Sequence, residues 1–174
     1  MLSLSLNDTA ARLLHGPAGP AAAPTDGLAP GLRARLAGGI VRRGPVLTWA
    51  DSPGDATAAP GPHPDLTGWE CADSALHLTD LVPVEVALVD DVPQLDPAGQ
   101  RLLLRQGLGL ALGFGELVRG LGAPARVRCV LGVNETGGTF RFHQVRAGES
   151  WHHPDLDGYH PEAVCVLEAA PAAG

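Results

Sequence analysis

The sequence DPAGQRLLLRQGLGLALGFGELVRG, residues 96–120, opens a segment that reaches Glu168 and holds the clearest structural signals in the chain. Asp96-Pro97 predicts a helix start, because Asp accepts hydrogen bonds from the free amides of the first turn and Pro at the first helical position sacrifices none. Apolar side chains then recur every three or four residues up to Leu121, with charged side chains opposite them. This pattern predicts one long amphipathic helix that packs on a core.

Four glycines interrupt this predicted helix: Gly107, Gly109, Gly113 and Gly115. Each costs about 1 kcal/mol relative to alanine in a helix interior. We therefore expect another element to approach the helix backbone closely at these positions. Leu108 and Leu112 lie on the outer side and indicate a second contact surface.

The segment from Ala125 to Val145 alternates between apolar and polar residues around Glu135-Thr136-Gly137-Gly138, which predicts a β-hairpin. Because side chains alternate with period two along a strand, one face is apolar and collects Val127, Cys129, Leu131, Val133, Phe140 and Phe142. The opposite face holds Val130, Val145 and four basic residues, which we name the arginine strip: Arg126, Arg128, Arg141 and His143.

The arginine strip has two interpretations. An antiparallel sheet commonly shows polar residues to water on one face, and an arginine stem can cover apolar neighbours while its head stays solvated. Several planar guanidinium groups on one face also suit bidentate contacts with carboxylates or phosphates. The second interpretation predicts a site for a small anionic ligand or for an acidic partner protein.

Other strands are predicted near Ile40, near Val84 and over an unbroken apolar run around Val164. Met1 to Leu6 resembles a short alternating strand, and Trp69 to Thr79 is ambiguous. With the hairpin and the helix, these elements predict an α+β fold: an antiparallel or mixed sheet of about five strands, drawn from Ile40, Val84, Val164 and the hairpin, with the long helix packed on one face.

The length of 174 residues fits a single domain over residues 1–174, large enough to bury a core without metals or disulfides. Segments 17–30 and 51–64 are rich in Pro, Gly and Ala, and we predict that both are flexible loops. Three cysteines lie far apart with no Cys-x-x-Cys pair, so neither a disulfide framework nor a cysteine zinc site is indicated.

The motif His63-Pro64-Asp65-Leu66 recurs as His153-Pro154-Asp155-Leu156, and each copy is followed by one further residue, a glycine and an aromatic residue. An internal duplication would produce such a repeat. Turn chemistry produces it equally well, because Pro, Asp and Gly are favoured at successive turn positions. Both interpretations stay open at the level of sequence.

The second copy lies in the richest polar cluster, Trp151 to Glu162. Imidazole and carboxylate groups are the ligands of zinc and of non-haem iron or manganese. The candidate metal ligands are His143, His152, His153, Asp155, Asp157 and His160. Their spacing matches no helical His-x-x-x-His motif, and the simpler interpretation is a surface turn with partly buried aromatic residues.

The net charge of -7 disfavours nucleic-acid binding, which relies on many Lys and Arg contacts to phosphates. The first residues lack the basic start and long apolar run of a secretory signal, and the apolar run between Arg105 and Glu116 is far short of the roughly 20 residues of a membrane span. We therefore expect a cytoplasmic protein without membrane contact. The 23 Gly and 16 Pro indicate a GC-rich bacterial coding sequence.

We predict a non-enzymatic binding or adaptor module of the bacterial cytoplasm, without a cofactor and with self-association as a homodimer among its expected interactions. Its predicted binding residues join the arginine strip to the adjacent loop: Arg126, Arg128, Arg141, His143, Trp151 and Tyr159. Trp, Tyr and Arg dominate interface energetics, which favours this surface. The alternative is a metal-dependent enzyme of the hydrolase type that uses the His/Asp loop with zinc or another divalent metal.

Overall fold

The computed structural model describes residues 2–15, 27–121 and 125–170. Strands in these ranges are β1 (Leu2–Leu6), β2 (Ile40–Arg43), β3 (Val46–Trp49), β4 (Leu76–His77), β5 (Ala87–Val89), β6 (Val92–Gln94), β7 (Val127–Asn134), β8 (Gly137–Gln144) and β9 (Ala163–Ala169). The α-helices are α1 (Asp8–Leu14), α2 (Pro30–Gly38), α3 (Leu66–Asp73) and α4 (Pro97–Arg119). Short 3-10 turns cover Ala56–Ala58, Leu78–Asp80 and Leu156–Gly158.

The main sheet contains five strands in the order β1-β9-β7-β8-β4, and every neighbouring pair is antiparallel. Strands β7 and β8 form the predicted hairpin through the two residues Glu135 and Thr136. All six residues assigned to its apolar face are buried in the core. The α+β prediction is therefore confirmed, with five antiparallel strands and one long helix packed against them.

Helix α4 begins where the sequence indicates. The Asp96 side chain accepts a hydrogen bond from the Gly99 amide at 2.6 Å, and Pro97 is the first helical residue. Phe114 of α4 packs against Phe142 of β8 with ring centroids 4.4 Å apart. Trp49 of β3 meets the same two rings edge-on at 5.6 Å and 5.1 Å, so an aromatic cluster joins the helix to the sheet.

Two of the helical glycines allow the predicted close approach. A Cβ at Gly107 would lie 2.5 Å from Leu131 Cδ1 of β7, and a Cβ at Gly113 would lie 2.5 Å from Leu36 Cδ1 of α2. Leu108 is buried, whereas Leu112 is 39% exposed. The burial of Leu108 agrees with a second contact surface on α4, the exposure of Leu112 does not, and helices α1 and α2 both contact the long helix.

Two predicted members of the main sheet lie elsewhere. In the described part of the chain, the strand at Ile40 pairs with β3 alone, and the strand after Val84 pairs with β6 alone. Their places are taken by β1, from the short alternating segment, and by β4, from the ambiguous segment. Sequence patterns identify a strand but not its neighbour, because pairing is decided by register with distant strands.

The hairpin of β5 and β6 is exposed at every residue. Leu88 is 70% exposed, and the turn residues Asp90 and Asp91 have φ angles of 51° and 62°. A two-stranded hairpin without a third strand is only marginally stable in water. Within the described ranges, no helix combines the length and apolar character needed to cross a membrane.

The two segments predicted as flexible loops have different outcomes. Residues 17–26 lie outside the described ranges, and Pro30, assigned to the first loop, is the first residue of α2. The second segment contains the turn Ala56–Ala58, where Asp55 accepts a hydrogen bond from the Thr57 amide at 2.9 Å. The flexibility of segment 51–64 stays a prediction.

Candidate functional site

The arginine strip lies on the sheet face opposite α4. Arg128 stands beside His143 on the neighbouring strand β8, and Arg141 stands beside Val130. On the other side of β7, Arg128 stands beside Glu168 of β9. The basic residues therefore share one face, as the alternation predicts, but a carboxylate lies among them.

Glu168 engages two members of the arginine strip. Arg128 Nη2 donates to Glu168 Oε2 at 2.8 Å, and Arg126 donates to Glu168 Oε1 through Nε at 3.1 Å and through Nη2. Burial tends to raise the pKa of Glu168, but the hydrogen bonds from the two guanidinium groups outweigh it and hold that pKa below its usual value. Arg126 and Arg128 are therefore committed to the protein's own carboxylate.

His143 does not reach the surface. Its side chain is fully buried, its Nδ1 donates to the Gln144 carbonyl oxygen at 2.8 Å, and its Nε2 has no hydrogen-bond partner among the described residues. Burial lowers the pKa of His143, because the charged imidazolium is poorly solvated there. His143 therefore belongs to the arginine strip by its position on β8, but its side chain is buried and does not face a ligand at the surface.

Between the sheet and the loop that follows β8 lies a pocket of about 220 Å³. Its floor is apolar and is formed by Val130, Gly132 and Val164 of the two central strands. Trp151, His152 and Tyr159 of the loop also line it. Three polar side chains complete the lining: Thr139, Arg141 and Glu162. The structure thus brings together three of the six predicted binding residues, Arg141, Trp151 and Tyr159.

Arg141 is held in the pocket without a carboxylate partner. Its Nη1 donates to the Cys71 carbonyl oxygen at 2.9 Å, and its Cζ lies 5.3 Å from the centroid of the Trp151 ring. No ion pair joins it to an acidic side chain within the described ranges. Of the three arginines in the strip, Arg141 is the one that makes no ion pair with a described acidic side chain.

Glu162 faces the same pocket. Its carboxylate lies over Gly132, where a Cβ would clash with Oε1, so the absence of a side chain at Gly132 makes room for it. No hydrogen bond to this carboxylate is found in the described part of the chain. Burial raises the pKa of Glu162, and the positive charge of Arg141 opposes that rise only in part.

The loop is held at both ends by neighbouring elements. At its start, Glu149 accepts a hydrogen bond from the Thr67 amide of α3 at 2.9 Å. At its end, the Asn7 side chain donates to the Glu162 carbonyl oxygen at 2.8 Å and accepts from the Val164 amide at 3.0 Å. The same Asn7 oxygen caps α1 through the Ala10 amide. These contacts place the aromatic residues of the loop over the sheet.

His152 and Tyr159 of the pocket each make hydrogen bonds with the protein. His152 Nδ1 donates to the His153 carbonyl oxygen at 2.8 Å, which leaves the Nε2 lone pair facing Arg128 Nη1 at 3.4 Å. The Tyr159 hydroxyl oxygen accepts from the His153 amide at 2.8 Å. His152 therefore connects the pocket wall to the Arg128–Glu168 pair.

The six candidate metal ligands are not gathered. His143 is buried, His160 is exposed, and the carboxylates of Asp155 and Asp157 accept hydrogen bonds from the amides of Asp157 and Asp8. Across the ranges that the structure describes, no group of three His, Cys, Asp or Glu residues is placed to hold a metal ion. The metal site stays a prediction from the sequence.

Another carboxylate, Glu70 of α3, is fully buried outside this pocket. It accepts hydrogen bonds from the Leu47 amide at 2.6 Å, from the Gln144 amide at 2.7 Å and from both Nη atoms of Arg146 at 2.8 Å. Glu70 therefore ties α3 to β3 and β8. Sequence patterns did not single it out, because its partners are 23 to 76 residues away.

Sequence reasoning did not predict five of the pocket residues as site residues: Val130, Gly132, Thr139, Glu162 and Val164. A signal was available for one of them, Gly132, because it occupies an outward position within a predicted strand, where a glycine indicates close approach of another group. The partner of that approach, Glu162, lies 30 residues further along and could not be inferred from spacing.

Comparison with protein-family models, with curated proteins and with solved structures finds no match for this chain. Any functional inference therefore comes from the pocket and its surroundings.

Proposed function

We propose that this protein is a non-enzymatic binding module that takes a small anionic ligand, or the carboxylate of an acidic partner protein, at Arg141. The observation that carries the proposal is the guanidinium of Arg141, which makes no ion pair with a described acidic side chain, in a pocket walled by Trp151 and Tyr159. A hydrogen bond between charged groups is roughly twice as strong as a neutral one, and guanidinium suits a carboxylate in particular.

The guanidinium of Arg141 is held in place before any ligand arrives. One Nη atom is engaged by the Cys71 carbonyl oxygen, and the planar group lies beside the Trp151 ring. No other hydrogen bond joins this guanidinium to the described residues. Holding the group in its binding position reduces the entropy that a ligand must overcome, which favours binding.

The groups around the pocket favour binding rather than chemistry. Both nitrogens of His152 face protein partners, so no free imidazole is poised as a general base. The three cysteines are buried, and burial raises the pKa of Cys165 to about 12, far from the thiolate form that a nucleophile requires.

Carboxylate binding can be followed through Trp151, which is 42% exposed, while Trp49 and Trp69 are buried. We expect acetate, benzoate or a poly-glutamate peptide to change the fluorescence of the wild-type chain, and Arg141→Gln to weaken that binding by about tenfold or more. A charge-assisted hydrogen bond contributes about 1.5–3 kcal/mol, and each 1.4 kcal/mol is a factor of ten.

Arg126→Gln is the matched control, because Arg126 shares the sheet face but is paired with Glu168 and does not line the pocket. Urea unfolding of both variants shows whether each is folded. If Arg141→Gln does not fold, Arg141→Lys replaces it as the test variant, because it keeps the positive charge. Unchanged binding in folded Arg141→Gln, equal weakening in Arg126→Gln, or no carboxylate binding in the wild type would contradict the proposal.

Self-association is favoured by a separate observation. The hairpin of β5 and β6 exposes Leu88, Val89 and Val92, Val86 just before it is exposed as well, and no third strand joins it among the described residues. A second copy of the chain would bury these side chains, and sedimentation equilibrium of the whole protein tests this by measuring its mass. The bacterial cytoplasmic location stays a prediction from the sequence.

A further inference from the structure

We infer that the ligand of this pocket is a zwitterion of amino-acid size, bound through its carboxylate to Arg141 and through its ammonium group to Glu162. The inference rests on the proposed function, because it adds a second charged contact to the anion site at Arg141. Four features of the pocket carry it.

The first feature is the unsatisfied carboxylate of Glu162. A partly buried carboxylate that accepts no hydrogen bond from the protein is destabilised, because it loses part of its hydration and the positive charge of Arg141 offsets that loss only in part. The fold supplies hydrogen-bond donors to Glu70 and to Glu168, yet supplies none to Glu162 within the described ranges. A positively charged group from a ligand would provide the missing donor.

The second feature is the separation of the two opposite charges. Arg141 and Glu162 line the same pocket, but no nitrogen of one lies within 4.0 Å of an oxygen of the other. Arg141 stands beside Val130 on the sheet, whereas the Glu162 carboxylate lies over Gly132, two residues further along β7. The space between two unpaired opposite charges suits a ligand that carries both.

The third feature is the aromatic wall. Trp151 and Tyr159 line the same pocket as the two charged groups, and the Trp151 ring lies beside Arg141. A cation near an aromatic face is stabilised by the ring quadrupole, so these rings favour an ammonium group as well as apolar carbon atoms. The apolar floor of Val130 and Val164 suits the carbon skeleton of the ligand.

The fourth feature is size. The volume of about 220 Å³ is below the range of roughly 300–1,000 Å³ that is typical of pockets for drug-sized ligands. An amino acid places its carboxylate and its ammonium group on one carbon atom, and its small size matches this volume. Larger anions, such as nucleotides, exceed it.

The test compares three forms of each of the twenty common amino acids: the free amino acid, its N-acetyl derivative and its amide. Fluorescence of Trp151 and thermal shift report binding to the whole chain. We expect at least one free amino acid to bind, its N-acetyl derivative to bind about tenfold more weakly, and its amide to bind more weakly as well. Each derivative removes one charge that a protein group recognises.

Glu162→Gln separates the two contacts. We expect this variant to bind the free amino acid about tenfold more weakly than the wild type does, and to bind the N-acetyl derivative equally well. The variant should therefore no longer prefer the free amino acid over its N-acetyl derivative. Glu116→Gln is the control with the same charge change, because Glu116 lies on α4 and pairs with Arg119.

The possible outcomes distinguish the two proposals. If N-acetyl derivatives or acetate bind to the wild type as tightly as any free amino acid does, or if the preference survives in Glu162→Gln, the zwitterion inference is wrong and the anion site at Arg141 stands. If no compound with a carboxylate binds, the proposed function itself fails. Binding of amides at full affinity would likewise remove the role of Arg141.

Discussion

Glu70 and Glu162 each follow a copy of the His-Pro-Asp-Leu motif, and the fold treats their carboxylates in opposite ways. Glu70 is fully buried and accepts hydrogen bonds from the backbone of Leu47, from Gln144 and from Arg146. Glu162 lines an open pocket and accepts no hydrogen bond from the described residues. The first carboxylate joins parts of the fold, and the second is the one for which we propose a contact with a ligand.

In both copies of the His-Pro-Asp-Leu motif, the Asp side chain accepts a hydrogen bond from a backbone amide that follows it. Asp65 accepts a hydrogen bond from the Gly68 amide at 2.7 Å, and Asp155 accepts one from the Asp157 amide at 3.1 Å. The first copy continues as helix α3, while the second ends after the 3-10 turn Leu156–Gly158. The two caps differ, because Asp65 accepts from the amide three residues further along and Asp155 from the amide two residues further along. The same four-residue motif is therefore followed by a structural glutamate in one case and by a pocket glutamate in the other.

The largest expected effect is on stability, and it comes from replacing Glu70, the carboxylate whose hydrogen bonds are supplied by the protein. Glu70→Gln should lower the free energy of unfolding by about 3–5 kcal/mol, because the amide leaves the Arg146 charge with only the more distant Glu149 as a partner and its NH2 group faces other donors. Glu162→Gln, with the same chemical change, should alter it by less than about 0.5 kcal/mol. Urea unfolding measures both values, and equal effects at the two positions would contradict the distinction.

The next largest effect is on ligand affinity, and it comes from a substitution that displaces the Glu162 carboxylate without changing its charge. Gly132→Ala adds a Cβ where Oε1 now lies, so the carboxylate must leave its position over β7. We expect about tenfold weaker binding of a free amino acid, while stability falls by no more than about 1 kcal/mol because a flexible side chain can move.

Gly38→Ala is the control for this substitution, since a Cβ at Gly38 meets nothing within 4 Å. It should leave binding unchanged and raise stability by up to about 1 kcal/mol through helix propensity. Undiminished binding in folded Gly132→Ala would show that the position of the Glu162 carboxylate is irrelevant to the ligand.

The smallest effect is a difference in pH dependence between Glu162 and Glu168. Burial raises the pKa of Glu162, so in the folded chain it keeps its proton to higher pH and stability falls as the pH rises past 4.5, its ordinary value. Glu162→Gln should therefore be more stable than the wild type at neutral pH, and this gain should vanish in acid.

Glu168 should show the opposite sign. Despite burial, its two arginine partners hold the pKa of Glu168 below 4.5, so its contribution to stability is present above that pH and is lost as the pH falls through the folded value. Glu168→Gln should be less stable than the wild type at neutral pH by less than about 1 kcal/mol, with the deficit shrinking in acid. Urea unfolding between acid and neutral pH measures both trends, and trends of the same sign would contradict this assignment.

Local chemistry explains which parts of the fold were predictable. The start of α4 depends on Asp96 and Pro97 alone, and the two faces of the β7–β8 hairpin depend only on alternation along each strand. Within the site, the same alternation correctly placed Arg128, Arg141 and His143 on one face. Such features need contacts only between near neighbours in the chain, so the sequence alone determined them.

Tertiary structure decided which strands pair and which charges remain free. Register across β7 and β9 places Glu168 beside Arg128, which removes two arginines from the predicted anion site and leaves Arg141. Packing likewise buries His143 and places Glu162 over Gly132, 30 residues earlier in the chain. Composition and spacing contain no information on such distant contacts, because they arise only when the strands are aligned side by side.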